Sequence, residues 1–224
     1  MLPRPKDILQ DYSTIGHAYL KVMKLNFLTI LDLLFPPTED ELHIRNVSPD
    51  AFLKKYDHRS FNNIQHLSSF KDQEIRSAIH LAKFHKSTHA INLLSELCKK
   101  YLSQEEGNFL ILPIPLSQGR LRARGYNQAA EIMRPACPKD GRHTLNETVL
   151  LRSRDTKPQT TLRKDERLKN MSNCFTAGSD AGLIHGKDVL LFDDVVTTGA
   201  TLEAAKQAVS RHDPKSITCL ALAH

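Results

Sequence analysis

The chain has 224 residues, 40% of them hydrophobic and 25% charged, the balance of a soluble globular protein with enough apolar material for one sizeable core. Its longest apolar stretch, residues 19–35, is broken by Lys21, Lys24 and Asp32, which excludes a membrane span there; the start MLPRPKDILQ lacks the apolar centre of a signal peptide, so a cytoplasmic protein is expected. The cysteines, Cys98, Cys137, Cys174 and Cys219, are far apart with no C-x-x-C pair, which excludes a zinc ribbon or a dense disulfide framework and leaves reduced, mostly buried thiols.

In chain order, residues 15–34 are predicted helical and stop at Pro36-Pro37. Residues 36–62 are polar and aperiodic, a connector with one short helix over residues 49–56. A strand is predicted over residues 64–70. Two amphipathic helices follow, over residues 72–85 with Ile75, Ala78, Ile79 and Ala82 on one face, and over residues 87–102 with Ser87 as N-cap. His85 and His89 stand four apart, a metal-compatible spacing, but no third ligand lies nearby in sequence and they read as solvated helix residues. Residues 108–112 form an apolar strand that Pro113-Ile114-Pro115 turns out of the sheet. Behind it lie Arg120, Arg122 and Arg124 and then a helix towards Met133. Residues 135–148 are predicted loop and residues 149–152 a strand. Residues 153–162 are polar and basic, of the type that forms a lid over a ligand, and residues 163–170 are a short charged helix. Asn173-Cys174-Phe175 begins a return strand, and residues 216–223 are a final apolar strand. Strands alternate with helices from about residue 64, which argues a parallel α/β sheet.

The stretch VLLFDDVVTTGAT, residues 189–201, is the most informative. Val189-Leu190-Leu191-Phe192 is a strand buried on both faces. Asp193 and Asp194 follow, then a small turn of Val196, Thr197, Thr198, Gly199, Ala200 and Thr201, then a helical pattern. Such a turn offers backbone N–H groups and a helix dipole to a phosphate, with Gly199 allowing close approach. The carboxylates would repel that phosphate, so they suit paired ribose hydroxyls instead. Charge points the same way. Residues 116–170 hold 13 Lys/Arg against 6 Asp/Glu, a net of +7, while the remainder holds 18 against 19. A polyanion, pyrophosphate or nucleic acid, fits that segment.

The acidic pair and Thr197-Thr198-Gly199-Ala200-Thr201 resemble the phosphoribosyl-pyrophosphate (PRPP) loop of the type I phosphoribosyltransferases. More narrowly, ILDLLFPP (residues 30–37), PIPL (113–116), RARGYNQ (122–128), RSRDTKPQTTL (152–162), RLKNMSNCF (167–175) and the PRPP loop occur in the order of the ComF/GntX-like family of competence-associated, predicted phosphoribosyltransferases. The resemblance implies a type I phosphoribosyltransferase fold, a parallel sheet flanked by helices, over residues 64–224, with a small, mostly helical, hood-like region over residues 1–63. It implies that Asp193 and Asp194 orient the ribose, that residues 196–201 take the 5′-phosphate, and that Pro115, Leu116, Arg122, Arg124, Arg154 and Gln159 serve the pyrophosphate. Mg²⁺ is the implied cofactor, held mainly through PRPP and water rather than by protein ligands. The implied reaction is phosphoribosyl transfer to a nitrogenous base or amine. The alternative is a non-catalytic PRPP- or single-stranded-DNA-binding accessory protein of DNA uptake, with DNA or a helicase as partner. Oligomeric state is open, a homodimer included. The chain departs from the family in having no four-cysteine zinc ribbon after LLFPP, and in carrying Ser117 where many members have histidine.

Overall fold

The computed structural model describes residues 36–152 and 174–224. The chain divides into residues 1–42 and residues 43–224. The helices expected over residues 15–34 and 163–170, and the expected lid residues Arg154 and Gln159, lie outside the described residues. A reciprocal pair opens helix α1 (Glu39–Ile44), of which His43 and Ile44 already belong to the second unit: the Thr38 N–H donates to the Glu41 carboxylate at 2.8 Å, and the Glu41 N–H donates to Thr38 Oγ1 at 3.3 Å.

The second unit is built on a six-stranded sheet ordered β1 (Arg59–Phe61), β2 (Ile64–Ser68), β8 (Ser216–Ala223), β7 (Asp188–Val195), β3 (Phe109–Pro113) and β4 (Thr144–Leu145). All pairings are parallel except β1 with β2. This is the parallel sheet flanked by helices that the motif resemblance implies. Helix α2 (Pro49–Leu53) falls within the short helix expected over residues 49–56. Two short strands are not legible in the sequence as such: the expected connector also contains edge strand β1, and the expected loop after residue 135 contains β4. Strands of two and three residues show no hydropathy period, so pattern reading passes over them. The β1–β2 turn is Asn62-Asn63, with φ of 50° and 60°, the left-handed conformation that asparagine tolerates. That turn falls at the expected boundary between residues 63 and 64, so one sheet spans both sides of it.

Helices α3 (Gln73–Phe84) and α4 (Thr88–Gln104) start where the sequence places them. Asp72 accepts from the Ile75 N–H at 3.1 Å and Ser87 from the Ala90 N–H at 3.4 Å. With α6 (Gln128–Ala136) they cover one face of the sheet, packing Ile75, Leu94, Ile132 and Met133 against Leu190, Phe192, Leu220 and Leu222. The other face packs Val189, Leu191, Cys219 and Ala221 against α7 (Ala200–Ser210) and the antiparallel pair β5 (Leu150–Arg152) and β6 (Phe175–Ala177). Pro113 ends β3, and the chain leaves the sheet after the Ile114 N–H donates to the Phe192 carbonyl.

None of the four cysteines is in a disulfide. Burial pushes the Cys137 and Cys219 thiols up to about 11. His89 is exposed, as expected, and also donates from Nε2 to the Ile44 carbonyl at 2.9 Å. Among the described residues no cluster of three or more His, Cys, Asp or Glu is placed to hold a metal, and no helix is long and apolar enough to cross a membrane.

Candidate active site

A cavity of about 880 Å³ opens at the carboxyl ends of β3 and β7, the place where open parallel sheets bind ligands. Alternation along β7 sends its two terminal carboxylates to opposite faces. Asp194 follows Leu190 and Phe192 towards α3 and α6. Asp193 follows Val189 and Leu191 towards β5 and α7. Both still line the cavity, because the strand ends there.

The two acids differ in surroundings. Asp194 is 4% exposed and held at both oxygens: Lys83 Nζ lies 3.1 Å from Oδ1, and Gln128 Nε2 donates to Oδ2 at 2.8 Å. Asp193 is half-buried, and its Oδ1 accepts the Asp194 N–H at 2.9 Å. Burial, reinforced by the adjacent Asp194 charge, pushes its carboxyl up to about 7; the Asp194 N–H, Lys83 and Arg152 pull the other way and do not prevail.

The turn after β7 has the form expected of an anion cradle. Gly199 is the N-cap of α7 in the left-handed conformation (φ 81°) and offers no side chain to close the helix start. A Cβ at Gly199 would stand 2.6 Å from Ile64 Cδ1, so a side chain there would have to displace the Ile64 methyl end as well as adopt the left-handed conformation. Thr197 and Thr201 line the cavity. Thr198 is exposed, and its Oγ1 accepts the Ala200 N–H at 3.4 Å. Ala200 is the first residue of the helix. Val196 is buried in the core, with its N–H engaged by the Ala223 carbonyl at 3.0 Å.

The arginine segment is helical: Ser117 caps α5 (Gln118–Arg124), and Gly125 at φ 79° ends it. At helical spacing Arg120 and Arg124 share a side, and both line the cavity with Pro115 and Leu116. Arg122 is not among the lining residues; it is exposed and donates to Gln118 Oε1 at 3.3 Å. The alternating spacing in sequence suggests three arginines on one surface, as an extended chain would present them. A helix turns the middle one away.

Several lining residues carry no role on sequence grounds: Lys83, Phe84, Gln128 and Arg152, with Arg120 grouped only as part of the basic run. Lys83 has a usable signal. It stands four residues after Ile79 and so ends an otherwise apolar helix stripe with a cation. Gln128 opens α6 beside Ala129 and Ala130, buried positions where an amide requires partners. The Arg124 guanidinium donates to Gln128 Oε1 and lies 5.2 Å from the Phe84 ring centre, and Arg152 lies 5.3 Å from that of Phe175. Lys83, Arg120, Arg124 and Arg152 against Asp193 and Asp194 leave the lining cationic.

A parallel sheet with an acidic strand end, a glycine-capped helix start and a basic wall is the build of a phosphoribosyltransferase. Residues 96–224, more than half of the chain, match the phosphoribosyl transferase domain, and the chain belongs to that family. It is similar to competence protein ComFC of Streptococcus pneumoniae, 31% identical over 58% of this chain and 53% of that protein. It is also similar to ComFC of Bacillus subtilis, 35% identical over 46% of this chain and 38% of that one. DNA utilization protein YhgH of Escherichia coli O157:H7 is 28% identical over 62% of each. The similarity to these proteins agrees with the ComF-like resemblance read from the motifs, and the matched segment spans 38% to 62% of their lengths.

Proposed function

We propose that the cavity binds PRPP with Mg²⁺ and transfers its phosphoribosyl group to a nitrogen acceptor. The acceptor nitrogen bonds to C1 of the ribose as the bond from C1 to the pyrophosphate oxygen breaks, and the acceptor's proton leaves to solvent or to pyrophosphate. The observation that carries this reading is the meeting, in one cavity, of Asp193 and Asp194 with the start of α7 and with Arg120, Arg124 and Arg152. Hydroxyl-accepting carboxylates, a phosphate cradle and guanidinium forks correspond to the three chemical parts of PRPP.

In this reading Asp193 and Asp194 accept the ribose hydroxyls. Thr197, Thr201 and the N–H groups of α7 hold the 5′-phosphate. Arg124 and Arg120 take the pyrophosphate and stabilise its growing charge as it leaves. Arg154 and Gln159, from the segment expected to act as a lid, complete the pyrophosphate contacts and exclude water from the electron-poor ribose. The residues present fit a Mg²⁺ that arrives with its ligand. Such an ion draws its oxygens mainly from phosphate and water and needs no dedicated protein cage, which leaves Asp193 and Asp194 to the ribose hydroxyls. When bound, the ion neutralises charge on the departing pyrophosphate.

The printed names of the relatives, competence proteins and a DNA utilization protein, favour a second reading, a non-catalytic accessory role in DNA handling. Calorimetric titration of PRPP, with and without Mg²⁺, on wild type and on Asp193→Asn/Asp194→Asn separates the two. Mg²⁺-dependent binding, weakened at least tenfold in the double variant, supports the PRPP site; tenfold corresponds to about 1.4 kcal/mol. Absent PRPP binding, with single-stranded DNA binding that falls steeply with salt, supports the second.

A further inference from the structure

Four side chains from four elements form one connected line along the cavity wall. Lys83 comes from the last turn of α3, Asp194 from the end of β7, Gln128 from the first position of α6 and Arg124 from the last of α5. Lys83 and Gln128 occupy one Asp194 oxygen each, at 3.1 and 2.8 Å. Gln128 is itself 4% exposed and engaged at both ends, giving its N–H to Asp194 and accepting from Arg124. Its orientation has no alternative. Exchanging oxygen and nitrogen would set an acceptor against the carboxylate and a donor against the guanidinium. An amide between a buried anion and a cation is polarised by both, so a change at either end alters the bond at the other.

We infer that Lys83 and Gln128 are positioning residues for the phosphoribosyl donor: they hold Asp194 from two sides, and Gln128 ties Asp194 to Arg124 so that the hydroxyl-binding and anion-binding halves of the cavity are energetically coupled. The ligand named here rests on the PRPP reading; the coupling itself does not.

The coupling is measurable without ligand, by urea unfolding of variant cycles at one pH. Lys83 and Gln128 hold the Asp194 oxygens at 3.1 and 2.8 Å, so the separate losses in Lys83→Met and Asp194→Asn should exceed the loss in the double variant, because each change removes the partner of the other. The losses in Arg124→Ala and Asp194→Asn should likewise exceed that of their double variant, and should become additive when Gln128 is Met. Strict additivity of Lys83→Met with Asp194→Asn, or the same Arg124–Asp194 excess in both backgrounds, overturns the inference.

With PRPP as probe, the separate losses of affinity in Arg124→Ala and Asp194→Asn should multiply to at least about threefold more than the loss in the double variant. With Gln128→Met as background the losses should multiply without that excess. Equal results in both backgrounds refute the coupling for the ligand. Should wild type bind no PRPP, the functional reading fails while the unfolding cycles still decide whether Lys83 and Gln128 hold Asp194.

Discussion

Replacing Gly199 with alanine meets two separate obstacles, and the structure supplies a control for each. The backbone at Gly199 sits at φ 81°, where a residue with a Cβ costs about 1–2 kcal/mol. The new methyl group would also stand 2.6 Å from Ile64 Cδ1. Ile64 is buried in the layer that includes Leu202, Cys219 and Ala221, so its methyl end has little room to retreat; crowding of this kind costs about 1 kcal/mol or more. Gly199→Ala should therefore lose about 2–3 kcal/mol. Gly125 has nearly the same conformation, φ 79°, and a Cβ added there would meet nothing within 4 Å, so Gly125→Ala should lose only the backbone part, about 1–2 kcal/mol. Ile64→Val removes the offending Cδ1 and costs about 0.5–1.5 kcal/mol alone. Combined with Gly199→Ala it should cost less than the sum of the two single changes. Urea unfolding of these variants at one pH measures each of these costs. Equal losses at Gly199 and Gly125, with strict additivity in the double variant, would refute the packing argument and leave only the backbone cost.

Asp193, with its carboxyl pushed up to about 7, should destabilise the folded chain when ionised. That cost is fully present above pH 7 and absent below the ordinary carboxylate range, so Asp193→Asn should gain on wild type as pH rises between them; melting temperatures across pH 4–8 check this, and a constant gap counts against it. At Asp72 burial opposes ionisation, but Lys55 at 2.7 Å and the Ile75 N–H outweigh it and hold the carboxyl below its usual range. Asp72→Ala should cost about 1–2 kcal/mol at neutral pH, and the difference from wild type should shrink as pH falls through the depressed value. Of the α5 arginines, Arg120→Ala and Arg124→Ala should each weaken PRPP binding about tenfold or more, while Arg122→Ala changes it little; a loss at Arg122 equal to the others would contradict the cavity geometry.

Chain-local features are legible in the amino-acid sequence. The apolar run before Asp193, the period of α3 and α4, the cap Ser87, and the glycine in the turn before α7 each depend on neighbours a few residues away. These determine the alternation of strand and helix and hence a parallel sheet. The two- and three-residue strands β1 and β4 are not legible, since pairing partners and not their own pattern hold them in place. The site divides in the same way. Sequence alone brings the acids and the phosphate turn together, because they are contiguous. It treats Asp193 and Asp194 as equivalent and Arg120, Arg122 and Arg124 as one surface. Only the tertiary structure separates them. Strand alternation turns Asp194 to the helical layer that holds Lys83 and Gln128, from positions 111 and 66 residues earlier in the chain, and a helical turn carries Arg122 away from the cavity. Adjacent side chains on a strand face opposite ways, and which partners await on each side is decided by packing between distant segments.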